Sequence, residues 1–327
     1  MNRDPADIKF CENLLRKYRA IKNRIVILCE GDRNYLKVKT PQQYRRLDEY
    51  QDAAFWKETI PKWWREKKPV FIPCGGRTQV LNIRKILLDL HFKDEENSYL
   101  SPEKLFVFID LDLQSAIIDH KSNYDTEQLY YDLYQNNLVN AQAIDEHKTI
   151  VTGFIHKEAY FLEPDLQILF DDSQYQISYK NQQLSLNDVY RDMLLEIEND
   201  QDLENYFDSA ITRIKNILPR TLNNCIELKE ELGKLFNKSF TSTENKSQVI
   251  EAILSIIKSK PFWENEITIE SRENLPEEYS LSFKECRDNL MLNIAKFYAG
   301  KCEQSSKEVN SKYHICQWMK YLYSLCE

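Results

Sequence analysis

The chain has 327 residues, 42 % of them hydrophobic, and a formal net charge of −8. That length can bury a full core and leaves room for two domains, while the acidic balance argues against a protein that coats nucleic acid indiscriminately. No apolar stretch approaches the roughly 18 residues of a membrane span and the start lacks a signal-peptide pattern, so no membrane partner and a cytoplasmic location are expected.

Residues 1–20 read as an amphipathic helix, capped around Asp4-Pro5-Ala6-Asp7, with Phe10, Leu14, Leu15 and Tyr18 along one side. Residues 24–29 form an apolar run that enters Glu30-Gly31-Asp32. A basic, aromatic insertion follows at 38–68, with an exposed turn or short helix at 40–46 and an amphipathic helix from Phe55-Trp56 through Trp63-Trp64-Arg65. A strand at 70–73 leads through Cys74-Gly75-Gly76-Arg77 to a helix over 78–90, with Thr78 as its candidate cap. The run Leu105-Phe106-Val107-Phe108-Ile109 enters Asp110-Leu111-Asp112; a helix near 126–135 and a fourth strand at about 149–154 come next. Strands alternating with helices imply right-handed crossovers and a small parallel sheet. Beyond Glu163-Pro164 a short hairpin at 174–180 precedes helical patterns near 186–198, 202–217, 224–236, 245–258, 281–300 and 307–325, with a linker or exposed loop at 241–245. The predicted class is α/β: a mainly parallel four-stranded sheet within residues 1–165, then a mostly α-helical region over 166–327.

Continuous apolar runs of this kind are strands buried on both faces, and ligands of open parallel sheets sit beyond the carboxyl ends of the strands. Two strands delivering Glu30, Asp110 and Asp112 to that edge would gather negative charge that a hard divalent cation neutralises. Asp110 and Asp112 share one face by their spacing of two. The competing reading is that these acids cap helices or face solvent. Arg77, after two glycines and at a helix start, suits a phosphate. His156 and Lys157 suit a general base or charge stabiliser, or simply a polar rim. Tyr44, Trp56, Trp63 and Trp64, interleaved with Arg45, Arg46 and Arg65, have the make-up of a base-stacking, phosphate-contacting surface, although at least two of the three tryptophans also fit a core. Residues 1–100 carry 21 Lys/Arg against 14 Asp/Glu, a balance of +7 that leaves −15 for the remainder. Eight cysteines without a C-x-x-C read as reduced core residues rather than disulfides or a zinc site.

In this order Glu30-Gly31, the Gly75-Gly76-Arg77 turn, Asp110-Leu111-Asp112 and the segment from Gly153 to Glu163 resemble the TOPRIM domain of topoisomerases, bacterial primases and OLD-type nucleases, over roughly residues 20–165. The resemblance implies a Rossmann-like fold in which Glu30, Asp110, Asp112 and Glu158 are catalytic and hold Mg²⁺ or Mn²⁺. Glu158 is equally a first-turn helix acid, with Glu163 as its alternate. Asn34 stands where OLD-like sequences carry a second acid, which leaves one-metal and two-metal sites both open. The length and helical tail look most like stand-alone effector nucleases of ATPase-coupled anti-phage systems of the PARIS type. No G-x-x-x-x-G-K-[ST] occurs, so the ATPase would be a separate subunit. Substrate (tRNA, other RNA or DNA) and homo-oligomerisation stay open. The alternative is a degenerate TOPRIM scaffold or binding subunit.

Overall fold

Four short strands, buried along their whole length, build the central sheet: β1 (Val26–Cys29), β2 (Val70–Pro73), β3 (Leu105–Ile109) and, further on, β8 (Thr149–Val151). The computed structural model describes residues 4–33, 36, 40–44, 46–119, 124–135, 138–215, 217–218, 229–241, 245–271, 282–304 and 312–326. All four strands are parallel in the order β2-β1-β3-β8, with Val26 opposite Val70 on one side and Leu105 on the other. The continuous apolar runs demanded this, because a strand with no polar face needs helices on both sides. Two small ribbons lie between β3 and β8: β4 (Ile117–Asp119) with β5 (Tyr124–Asp125), and β6 (Tyr134–Gln135) with β7 (Leu138–Val139).

The chain divides into two compact units. The first comprises Met1–Ile109, Ala116–Val151 and Ala295–Glu327; the second comprises Asp110–Ser115 and Thr152–Ile294. This is not the 1–165 and 166–327 division read from the sequence, and the first unit shows why. Phe106 and Phe108, two apart on β3, share a face. Phe108 meets Trp318 at 5.6 Å and Trp56 at 5.4 Å, and Phe106 meets Tyr321, so the carboxyl-terminal helix His314–Ser324 completes the core around the sheet. The amino-terminal helix Pro5–Lys17 and the helix Arg77–Lys93 pack on each other, the latter also on β1 and β3.

The amino-terminal helix is capped by Asp4, whose carboxylate accepts the Ala6 amide at 2.9 Å. The helix expected from Thr78 starts at Arg77 on an uncapped Gly76, so Thr78 is not its cap. The helix expected to run through Trp63-Trp64-Arg65 ends at Glu58, with Pro61 close behind to prevent its continuation. Asp125 and Gln128 form a reciprocal capping box on the helix Thr126–Leu133.

In the second unit the hairpin β9 (Tyr175–Tyr179) and β10 (Gln182–Gln183) gains a third, antiparallel strand that sequence reading missed, β11 (Ile267–Ser271). Only Ile267 and Ile269 of β11 are buried, and two alternate apolar positions are a weak signal. The helices Leu186–Glu196, Phe207–Lys215, Lys229–Thr241 and Lys246–Ile256 pack here, the last against the 3₁₀ helix Lys157–Leu162. The helical pattern at 202–217 breaks in two at Tyr206.

Candidate functional site

At the carboxyl edge of the first unit's sheet, the chain leaves β1 through Glu30, which is half-buried and engaged with neighbours. Gly31 then exchanges both backbone hydrogen bonds with Gly75, at 3.1 and 2.8 Å. Gly31 has φ +144°, and a Cβ there would stand 2.8 Å from that of Asp52, so only glycine fits this turn. The Gly-Gly turn after β2 is thus tied to the Glu-Gly turn after β1. Beside it, Asp7 is almost fully buried and accepts from Arg33 at 2.7 Å and from the Gln79 amide. Sequence reading had Asp7 only as part of a helix start. Arg77, in the first turn of its helix, is half-buried and engaged.

The chain leaves β3, β1's parallel neighbour, directly into Asp110, the first residue of the second unit. Within that unit the Asp110–Asp112 and 152–158 segments are locked together, although more than 40 residues separate them in the chain. The Asp110 carboxylate accepts the Lys157 amide at 3.0 Å; the Asp112 amide donates to Ile155 O at 2.9 Å; the Leu111 amide donates to Thr152 Oγ1 at 2.9 Å. The Thr152 hydroxyl in turn donates to Phe154 O at 2.7 Å. Asp112 has φ +51°, a left-handed conformation that aspartate tolerates better than most residues. His156 Nε2 stands 3.9 Å from an Asp112 oxygen, and Lys157 Nζ is 3.8 Å from Glu158. Glu158 is only 8 % exposed and lies in the first turn of its 3₁₀ helix.

One further side chain holds this cluster. Arg213 is completely buried, and its guanidinium donates to Asp112 O and, at 3.4 Å, to Ser255 O. It escaped sequence reading, although an arginine among Ala210, Ile211 and Ile214 on the apolar side of a helix was the available signal. The His156 ring is mostly buried and its Nδ1 has no hydrogen-bond partner among the described residues. Burial holds the imidazole below its ordinary pKa, against the opposite pull of Glu158 and Asp112, so the ring is neutral near pH 7.

The remaining sequence candidates are scattered. Arg45 and Asn34 lie outside the described residues. Arg46 is exposed and pairs with Glu49 at 3.8 Å. Arg65 is exposed near the start of β2, at the amino edge of the sheet. Tyr44 is no stacking platform: it is 4 % exposed and lies parallel to Phe10. Trp56 and Trp64 are core and Trp63 is half-buried, but only Trp56 lies on a helix, since Trp64 follows its end at Glu58.

No family model matches the chain, and neither the curated proteins nor the solved structures give a match. The site therefore stands on its own chemistry. Carboxylates at Asp110, Asp112 and Glu158 are hard oxygen donors of the kind Mg²⁺ and Mn²⁺ take, so the donor set fits such an ion. Among the described residues no three His, Cys, Asp or Glu side chains converge on one point; His156 stands 3.9 Å from Asp112 and Lys157 3.8 Å from Glu158.

Proposed function

We propose that this protein is a divalent-cation-dependent nuclease, with a TOPRIM-like core, that hydrolyses phosphodiester bonds in RNA or DNA. The observation carrying this reading is the interlocking of the Asp110-Leu111-Asp112 turn with the His156-Lys157-Glu158 segment. Two acid-bearing motifs distant in sequence are held together there with a neutral imidazole and an ammonium. Asp110, Asp112 and Glu158 would hold Mg²⁺ or Mn²⁺, and the TOPRIM resemblance gives Glu30, the acid after β1, a metal-holding role as well. Such an ion supplies an acidified water and stabilises charge on the departing oxygen. The chain's own residues do the rest. Arg213 fixes the turn that presents Asp112. His156 offers a nitrogen lone pair to a water proton. Lys157 exchanges its contact with Glu158 for a phosphate oxygen. The resemblance to defence effectors extends the reading to an anti-phage role under a separate ATPase subunit.

A degenerate TOPRIM scaffold is the second reading, favoured by the occupation of the acids by His156 and Lys157. One experiment separates the two. Purified protein is incubated with Mg²⁺ or Mn²⁺ on total tRNA, single-stranded RNA and supercoiled plasmid, beside EDTA controls and the Glu30→Ala and Asp112→Asn variants. Metal-dependent cleavage, reduced at least about 100-fold in both variants, is expected. An inactive parent, together with an unchanged cellular effect of Glu30→Ala, would leave the scaffold.

A further inference from the structure

The parallel sheet brings together at its amino edge whatever precedes each strand. Before β1, residues 16–24 carry Arg16, Lys17, Arg19, Lys22 and Arg24 and no acid. Before β2, residues 62–68 carry Lys62, Arg65, Lys67 and Lys68 against the single acid Glu66. The Arg24 guanidinium clasps the second segment to the first, its Nε donating to Lys68 O at 2.8 Å and its Nη2 to the same oxygen. The register agrees, since Val26 pairs with Val70. Lys22, Arg65, Lys67 and Lys68 are exposed, and Arg24 is half-exposed. Among the described residues none of these five makes an ion pair, whereas Arg16 does, with Asp94 at 3.0 Å. A chain of net charge −8 therefore concentrates unpaired cations at one sheet edge. Their mutual repulsion gives no folding benefit. Trp63, between Lys62 and Arg65, is half-buried, stacked on Trp64 at 6.4 Å and edge-on to Tyr323 at 5.0 Å, so it belongs to the support of this edge.

We infer that this amino edge is a non-catalytic binding surface for the phosphate backbone of a nucleic-acid strand, gripped by Lys22, Arg24, Arg65, Lys67 and Lys68. Only Glu66 interrupts these cations in the chain, and Glu303 is the acid that meets them in space, at the Lys62 amide (3.0 Å); the remaining excess of positive charge matches a polymer carrying a phosphate at every nucleotide. Six residues of nearly extended chain separate Arg24 from Glu30, about 20 Å at strand rise. The surface thus anchors a strand several nucleotides away from the carboxyl edge and does not position a scissile phosphate. It goes beyond the proposed nuclease reaction and does not require it.

The test measures fluorescence anisotropy of a labelled 20-nucleotide oligouridine, in EDTA, at several salt concentrations. The edge variant combines Lys22→Glu, Lys67→Glu and Lys68→Glu. A control of equal net charge combines Lys234→Glu, Lys284→Glu and Lys296→Glu, all exposed. The edge variant is expected to bind at least about 30-fold more weakly. Its slope of log affinity against log salt should be shallower by about 2, at ~0.7 for each of three lost single-strand phosphate contacts. The control should stay within about threefold of the parent. Matching circular dichroism and melting curves, and a smaller loss in Lys67→Gln/Lys68→Gln, keep misfolding apart from lost contacts. Equal loss in both triple variants, no loss in either, or no binding by the parent overturns the inference. Tighter binding of a 20-residue polyglutamate than of oligouridine overturns it in favour of an acidic protein partner. EDTA keeps metal chemistry out of this readout, so failure of the nuclease reading and failure of this surface are separately visible.

Discussion

Single residues carry two strong constraints in this molecule. At Gly31 both the positive φ and the nearness of Asp52 exclude a side chain. Gly31→Ala should cost about 2 kcal/mol or more in urea unfolding. Adding Asp52→Ala should recover only the part due to the Asp52 carboxylate, leaving the Cβ–Cβ contact and the backbone term, and a double-mutant cycle reads the difference. Arg213 is the second case. Removing a fully buried guanidinium leaves Asp112 O and Ser255 O short of a donor, at about 1–3 kcal/mol for each. Arg213→Met, which keeps most of the volume, should lower the urea midpoint and also lower any cleavage activity, by releasing the Asp112 turn. Unchanged activity in a folded Arg213→Met protein would remove Arg213 from the positioning role.

At the scale of elements, the carboxyl-terminal helix His314–Ser324 is the most consequential. His314 at its start is buried, with Tyr134 at 4.7 Å and Trp318 at 6.3 Å between ring centres, and burial pushes its pKa down to about 4. In the unfolded chain the same imidazole titrates near 6.5. Between those values the unfolded state binds a proton that the folded state refuses, so stability falls as pH drops from about 6.5 to 4 and is flat above. The full effect is roughly 3 kcal/mol. His314→Phe should flatten that limb of the stability–pH curve; a curve of parental shape would show that other groups produce it. The parallel strands were legible in the sequence, because the uninterrupted apolar runs at 24–29 and 105–109, alternating with helical patterns, leave few alternatives. Helix ends were less so. The chain past Trp56 keeps its apolar spacing after the helix has stopped, since Trp64 is buried from an irregular segment.

At the scale of the whole molecule, the first unit is built from three stretches of chain, and its sheet core needs the last of them. A protein ending at residue 294 loses Trp318 and Tyr321, which uncovers Phe108 and Phe106. Truncating one such buried aromatic typically costs 3–5 kcal/mol, and losing the helix removes several. The truncated chain is expected to be insoluble or to lack a cooperative thermal transition. A soluble, cooperatively melting 1–294 protein would show that the first unit closes without its carboxyl-terminal helix.

Local pattern alone determined the parallel α/β sheet, the acids waiting at its strand ends, the basic insertion and the burial of two of its three tryptophans. These are properties of nearest neighbours in the chain: apolar period, turn residues, charge runs. Tertiary structure decided what packs against what. It brought His156 to Asp112, buried Arg213 beneath the same turn, set Lys68 beside Arg24 at the amino edge and carried Trp318 back to Phe108. Contacts between residues 44 to 210 apart leave no local signature, because either partner looks like an ordinary core or surface residue until the other is beside it.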